Sequence, residues 1–230
     1  MPERTDPAAD LEHAWRANAG LWIRAVRDGR IASRAVTDAA ILDAVAGRRA
    51  RRLLDLGCGE GWLVRRMVAE TGCAAVGIDG SADLIAAARA ADPDGDYHRL
   101  AFADFVAAPE TTGGPYDAVI LNFALFDEAA PDLLAAAASR LAPAGAVLLQ
   151  TLHPWTAAGA DDYRDGWRTE SFAGIAAAGE AWAPMPWYFR TLEGWTAVIR
   201  DAGLTLADLR EPRAADGAPL SLLMVAGRTA

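Results

Sequence analysis

One segment constrains this chain more than any other: Leu53-Leu54-Asp55-Leu56-Gly57-Cys58-Gly59-Glu60-Gly61, an apolar run that passes into three alternating glycines and then an amphipathic stretch. Glycine lets a backbone turn sharply and lets a ligand approach it, and a following helix offers unpaired N–H groups. A strand, turn and helix of this kind suit a nucleotide-like ligand. The spacing is G-x-G-x-G, one residue short of the G-x-G-x-x-G fingerprint that places a pyrophosphate on a helix N-terminus. That difference weighs against a nicotinamide dinucleotide.

Around this turn, short apolar runs alternate with longer amphipathic stretches, the pattern of βαβ units feeding a parallel sheet. Strands are expected at Arg52–Leu56, Ala74–Ile78, Tyr97–Phe102, Asp117–Leu121 and Ala146–Leu152. Helices are expected at Gly61–Glu70, Ala82–Ala91 and Pro131–Leu141, the last stopped by Pro143 and Gly145. A helix at Leu192–Ala202 and strand-like runs at Leu204–Arg210 and Leu220–Ala226 follow, the two runs joined as a hairpin through Glu211–Pro219. Leu11–Val45 reads as a helical cap with Trp15 and Trp22 on one face, and both a lid and plain packing on the sheet fit that pattern. The fold class is therefore α/β: a Rossmann-like open, mainly parallel sheet with helices on both faces, a C-terminal antiparallel hairpin and an N-terminal helical cap. At 230 residues, 53% of them hydrophobic, one domain spanning 1–230 is expected. Its parts are a cap at 11–45, a cofactor-binding core at 52–152, a substrate-side insertion at 153–190 and a C-terminal helix and hairpin at 191–230.

Charge narrows the partners. Acidic residues number 31 against 22 basic, a net charge of −9 that disfavours phosphate backbones and anionic lipid heads. A small-molecule partner is expected, with no nucleic acid and no membrane. All basic residues are Arg, which excludes chemistry that requires a Lys, such as a Schiff base. Two cysteines, Cys58 and Cys73, make no disulfide framework, and the expected compartment is the cytoplasm. Met1–Asp10 has no apolar core of a signal peptide, and no apolar run approaches the roughly 18 residues of a membrane span. The three His are scattered without ligand spacing, so no metal site is expected.

The second strand ends Val76-Gly77-Ile78-Asp79, placing a carboxylate at a strand tip about twenty residues past the glycines, where it can accept from ribose hydroxyls. Capping the next helix is the other use of such an Asp, but Ser81 is available for that. Asp104, in Ala103-Asp104-Phe105, closes the third expected strand with a carboxylate beside an aromatic ring, a pairing that suits an adenine amino group and its flat face.

With these motifs in order, the sequence resembles the class I S-adenosylmethionine-dependent methyltransferase family from Leu53 to about Gly145, and in outline over the terminal helix and hairpin. The resemblance implies S-adenosyl-L-methionine as cofactor. It implies that Asp55, Gly57, Gly59 and Gly61 line the methionine part, with Cys58 a small spacer in the same turn. Asp79 beside Gly80 would hold the ribose, and Ala103, Asp104 and Phe105 the adenine. Tyr116-Asp117-Ala118-Val119-Ile120-Leu121-Asn122 resembles the fourth-strand motif, which places Asn122 and Phe123 beside the sulfonium. Arg34 in the cap is a candidate for the cofactor carboxylate, since Arg binds carboxylates bidentately; a plain surface role is the alternative. The competing functions are a nicotinamide-dependent oxidoreductase and a non-catalytic module binding S-adenosylmethionine.

In an open parallel sheet the ligand crevice lies at the carboxyl ends of the strands, so the segments after the fourth and fifth strands should meet the acceptor. They carry Phe126 and a long aromatic insertion with Trp155, Trp167, Trp182 and Trp187. A loop this long is usually functional or disordered, and aromatic density argues against disorder. Phe126, Trp155, Trp167 and Trp187, with Trp15 and Trp22 from the cap, are the expected acceptor-binding residues, sealing a local core being the alternative. His153, at the end of the fifth strand, is the first candidate for a general base, with Tyr188 and Glu170 next; a His tied to backbone at a corner is the plain reading. The function read from the sequence is O- or N-methylation of a small, partly apolar or aromatic acceptor.

Overall fold

The computed structural model describes residues 6–159 and 161–228; Met1–Thr5, part of the polar N-terminus read above, lie outside the described residues. Two helices come first, α1 (Pro7–Arg27) and α2 (Arg34–Gly47). Then β1 (Arg52–Leu56), α3 (Trp62–Thr71), β2 (Ala74–Asp79), α4 (Ala82–Ala91) and β3 (Asp96–Arg99) alternate, followed by α5 (Phe102–Ala107), β4 (Tyr116–Asn122), α6 (Ala130–Ser139) and β5 (Leu141–Leu152). The insertion forms α7 (Pro154–Ala158), β6 (Gly166–Glu170) and β7 (Met185–Phe189), and the chain closes with α8 (Leu192–Asp201), β8 (Leu204–Arg210) and β9 (Ser221–Arg228).

Seven strands form one sheet in the order β3-β2-β1-β4-β5-β9-β8. Strands β1 to β5 pair in parallel, and β9 runs antiparallel to both β5 and β8. This is the Rossmann-like sheet with a terminal antiparallel hairpin that the sequence pattern implies. Successive residues of a strand point to opposite faces, and both faces here are apolar. Leu54, Val119, Leu121, Val147 and Leu149 join a core with residues of α5, α6 and α8. Leu53, Ala118, Ile120 and Leu148 join the other with residues of α2 and α3. The cap helix α2 is thus a structural layer of the sheet through Ile41, Leu42 and Val45.

Three expectations are corrected. β3 stops at Arg99, and Phe102–Ala107 is a helix rather than the end of a strand. Phe102 and Phe105 recur at i, i+3, and Phe105 turns into the core on the α6 side. β5 begins at Leu141, not Ala146, because Leu141 pairs with Tyr116 ahead of a register shift. The insertion is not structureless either: β6 and β7 form an antiparallel hairpin.

At the amino edge of the sheet, arginines gather on two adjoining loops. Arg52 donates to the Gly114 carbonyl (3.1 Å), Arg140 to Gly113 (3.2 Å), Arg48 to Ala144 (2.9 Å) and Arg228 to Ala142 (3.2 Å). The Asp117 carboxylate there accepts from the backbone N–H groups of Arg51 and Arg52. Among the described residues, no helix is long and apolar enough to cross a membrane.

Candidate active site

At the opposite, carboxyl edge lies a cavity of about 650 Å³. Its floor is the glycine turn. The N–H groups of Gly57 and Cys58 both donate to the Ile78 carbonyl (2.8 and 2.9 Å), tying the exit of β1 to the end of β2. Gly57 has φ +77°, and a Cβ there would lie 2.5 Å from the Ala124 Cβ, so only glycine lets the β4 exit close on the turn. Gly59 has φ +58°, and a Cβ there would meet nothing within 4 Å. Its backbone is an open cradle at the cavity floor.

Two carboxylates flank the turn. Asp79 lines the cavity and accepts from the Gly59 N–H (3.0 Å) and the Ser81 N–H (2.8 Å). Burial raises its carboxyl above the usual range, and those two bonds oppose the shift. Ser81 accepts from the Leu84 N–H and so caps α4, which leaves Asp79 for the cavity. Asp55 lies beneath: it is buried, its Oδ1 has no hydrogen-bond partner, and burial with the nearby Asp79 charge pushes its carboxyl up to about 7. Burial also raises the Cys58 thiol, with the charges of Asp55 and Asp79 adding to the effect. A thiol so held is a poor nucleophile.

The rest of the wall comes from three directions. Ser33 ahead of α2 and Arg34, Thr37 and Asp38 on it contribute; Arg34 pairs with Asp38 (3.0 Å) and lies 4.4 Å above the Trp62 ring. The β4 exit contributes Asn122 to Asp127, with Phe123 in the left-handed region at φ +51°. The far end is apolar: Trp15 and Trp22 of α1 meet edge to face at 5.4 Å, and Phe126 lies 6.1 Å from Trp15 and 6.4 Å from Trp187. Phe172 and Met185 complete it. α1 is fastened to the hairpin by Asn18, which donates to the Ala183 carbonyl and accepts from its N–H, both at 2.8 Å. Arg30 adds an ion pair to Glu180 at 2.7 Å.

Of the residues expected from the sequence, the cavity gathers Arg34, Gly57, Cys58, Gly59, Asp79, Gly80, Ala103, Asn122, Phe123, Glu170, Trp15, Trp22, Phe126 and Trp187. Others fall elsewhere. Phe105 is fully buried in the core, and Asp104 is exposed on α5 outside the cavity wall; Ala101, Phe102 and Ala103 occupy the place expected of that pair. The cause is the strand that became a helix. Gly61 directly precedes α3 and packs against the Tyr97 ring. Trp155 is 73% exposed. Trp167 and Tyr188 are directly paired across the hairpin with rings 5.5 Å apart, on the face away from Glu170, Met185 and Trp187, since alternate residues of a strand face opposite ways.

His153 also lies off the cavity. Its Nδ1 accepts from the Trp155 N–H (3.3 Å) as the N-cap of α7, so Nε2 carries the proton that reaches Glu211 at 2.8 Å. Both ring nitrogens are thereby engaged in local structure. Of His153, Tyr188 and Glu170, Glu170 lines the cavity, as does Asp127, a further carboxylate at the β4 exit; the Glu170 Oε1 accepts from the Phe172 N–H at 2.5 Å. Sequence reasoning missed Thr37, Phe172 and Met185, which line the cavity without a motif to mark them.

A crossover sheet of this order with a cavity over its glycine turn defines a Rossmann-like architecture, and the comparisons narrow it. The model of the methyltransferase domain matches residues 28–208. The chain belongs to that family, as a class I S-adenosylmethionine-dependent methyltransferase. Its fold is similar to that of 1,6-didemethyltoxoflavin-N1-methyltransferase from Burkholderia thailandensis, solved with 1,6-didemethyltoxoflavin and S-adenosylhomocysteine, at 18% identity and a TM-score of 0.66 over 100% of this chain and 93% of that one. It is similar to an S-adenosylmethionine-dependent methyltransferase from Mesorhizobium loti (24%, 0.60, 84% of this chain and 98% of that one). The CcbJ methyltransferase of Streptomyces caelestis is likewise similar (19%, 0.62, 84% and 89%). None of the curated proteins matches the chain. The residues present suit the cofactor through an open backbone cradle at Gly59 and a carboxylate at Asp79 on the cavity wall, whereas Asp55, expected along the methionine part, is buried beneath the turn and off that wall.

Proposed function

We propose that the cavity holds S-adenosylmethionine at its glycine-turn end and a small, partly apolar or aromatic acceptor at its aromatic end, for O- or N-methylation. The observation that carries this is one continuous space running from Gly59 and Asp79 to Trp15, Phe126 and Trp187. Asp79 takes the ribose hydroxyls. Arg34 offers its guanidinium to the cofactor carboxylate. Ala101, Phe102 and Ala103 meet the adenine. The bound small molecule of the Burkholderia protein beside S-adenosylhomocysteine supports an acceptor of comparable kind.

S-adenosylmethionine supplies an activated methyl group on a sulfonium. The chain's part is then to orient the acceptor and exclude water, and effective molarity from orientation alone is worth several kcal/mol. The aromatic wall provides a flat apolar bed, while α1 and the hairpin close it from solvent. Where the acceptor sheds a proton, Glu170 receives it.

The test is calorimetry with S-adenosylmethionine, S-adenosylhomocysteine and NAD, followed by a screen of small aromatic acceptors for turnover to S-adenosylhomocysteine. Binding of the first two and not NAD, with turnover, is expected. Binding of NAD alone would overturn the reading, and cofactor binding without turnover of any acceptor would leave a binding module.

A further inference from the structure

Part of the cavity wall has no role in the reading above. Thr37 on α2 is fully buried, lines the cavity, and its Oγ1 has no hydrogen-bond partner. A helical threonine often turns its hydroxyl back to the carbonyl one turn earlier. Here the Ser33 carbonyl accepts the Thr37 N–H (2.9 Å), and the hydroxyl makes no such bond. Asn122, at the end of β4, lines the same cavity. The two residues meet at Gln150, whose Nε2 donates to the Thr37 carbonyl and to the Asn122 Oδ1, each at 2.9 Å.

That meeting point fixes a polarity. A side-chain amide has two ends of similar outline, but a main-chain carbonyl can only accept. The Thr37 carbonyl therefore requires the NH2 of Gln150, and the same NH2 requires the oxygen of Asn122. Reversing Gln150 would set two oxygens against each other in a site where Gln150 is fully buried. The Ser221 hydroxyl, also fully buried, reaches the Gln150 Oε1 at 3.5 Å and agrees with this orientation. The Asn122 NH2, which makes no bond among the described residues, is left to a ligand.

On one wall, then, stand an unpartnered hydroxyl that can donate, an amide turned donor-outward, and the Arg34 guanidinium, which also pairs with Asp38. Three donors converging on one space suit an anionic oxygen pair. We propose that Asn122 Nδ2–H and Thr37 Oγ1–H bind the carboxylate at the methionine end of the cofactor, and that Gln150 is the positioning residue that holds the Asn122 amide in this sense. The proposal rests on the cofactor reading of the cavity.

Calorimetry with two ligands tests it: S-adenosylhomocysteine, and 5′-methylthioadenosine, which keeps the adenosine and sulfur but lacks the amino-acid end. Asn122→Asp, which turns an oxygen toward the carboxylate, should weaken S-adenosylhomocysteine by roughly 10-fold or more. The near-isosteric Thr37→Val should weaken it by about 5-fold. Both should leave 5′-methylthioadenosine within about 2-fold. Gln150→Met should weaken S-adenosylhomocysteine in the parent and add nothing in an Asn122→Ala background, the signature of action through Asn122. Unchanged S-adenosylhomocysteine affinity in Asn122→Asp and Thr37→Val, or parallel loss of 5′-methylthioadenosine, would overturn the proposal while the cofactor reading stands. A parent protein that binds neither ligand overturns both.

Discussion

Asp55, one residue before the end of β1, and Asp79, at the end of the neighbouring β2, flank a single turn, and the two carboxylates are satisfied very differently. Asp79 accepts two backbone N–H groups, whereas Asp55 keeps a buried oxygen with no partner and has its carboxyl pushed up to about 7 by burial and by the Asp79 charge. An unfolded Asp loses its proton near pH 4. Between about pH 4 and 7 the folded protein therefore retains a proton that the unfolded chain releases, and stability falls as pH rises through that window. Urea unfolding of the ligand-free parent at pH 5 and pH 7.5 should show this fall. Asp55→Asn should flatten it, and an equal slope in both proteins would refute the burial of an uncompensated carboxyl.

Asp79→Ala should cost S-adenosylhomocysteine roughly 10- to 100-fold in affinity through the loss of charge-assisted bonds to ribose hydroxyls. A folded variant that binds as the parent does would remove Asp79 from the site.

Two glycines of one turn should fail in different ways. Gly57→Ala drives a Cβ to 2.5 Å from the Ala124 Cβ in a left-handed backbone and should lower stability by about 2 kcal/mol or more. Gly59→Ala meets no atom within 4 Å, so its stability loss should be about 1 kcal/mol, from its backbone conformation alone. Its larger effect should be on cofactor affinity. Thermal melts with and without S-adenosylhomocysteine separate the two, and the opposite assignment would show the cradle to be elsewhere.

His153→Ala should leave turnover within about 2-fold and destabilise the fold by about 1–3 kcal/mol, because the ring caps α7 and bonds Glu211 instead of facing the cavity. The bond from His153 holds the Glu211 carboxyl below its usual value. Its contribution is therefore complete above the ordinary glutamate range and lost as pH falls through the lowered value. Acid unfolding of the variant should lack that part of the transition. A large loss of turnover with intact stability would return the base to His153.

Trp187→Ala should raise the acceptor KM by about 10-fold or more, since a large ring leaves the aromatic wall. Trp155→Ala, at a residue 73% exposed, should leave it unchanged. Steady-state kinetics on the two variants checks whether the apolar end is where the acceptor sits.

The cofactor side of this arrangement was legible because its signals are local. A strand, three glycines and an acidic strand tip are consecutive in the chain, and buried parallel strands such as Val119-Ile120-Leu121 read as apolar runs on their own. The aromatic end of the cavity was legible only as composition. Trp155, Trp167 and Trp187 look alike in sequence, but Trp155 falls on the exposed side of α7, and the fates of the other two depend on the pleat of a hairpin whose pairing joins Gly166 to Phe189. Pro186 within the second strand hid that hairpin. Thr37 carried no signal because it stands within an Ala-rich helix, and its place on the cavity wall beside Asn122 is set by a fold that brings Gln150, 113 positions away, to its carbonyl. His153 pointed the wrong way because a strand's carboxyl end has two sides, and only the contact with Glu211 tells which side the ring takes.

The arginines at the amino edge of the sheet act as braces, not as a charged face, since Asp92, Asp94, Asp96 and Asp117 stand at or beside the same edge. Arg140 and Arg52 hold the carbonyls of Gly113 and Gly114, and Arg228 and Arg48 those of Ala142 and Ala144. The chain entering β4 and β5 is thereby anchored, and a strand fixed at one end carries that register to the other. Asn122 and Leu152, at the far ends of these two strands, both line the cavity, so the shape of its wall is set in part some distance from any ligand.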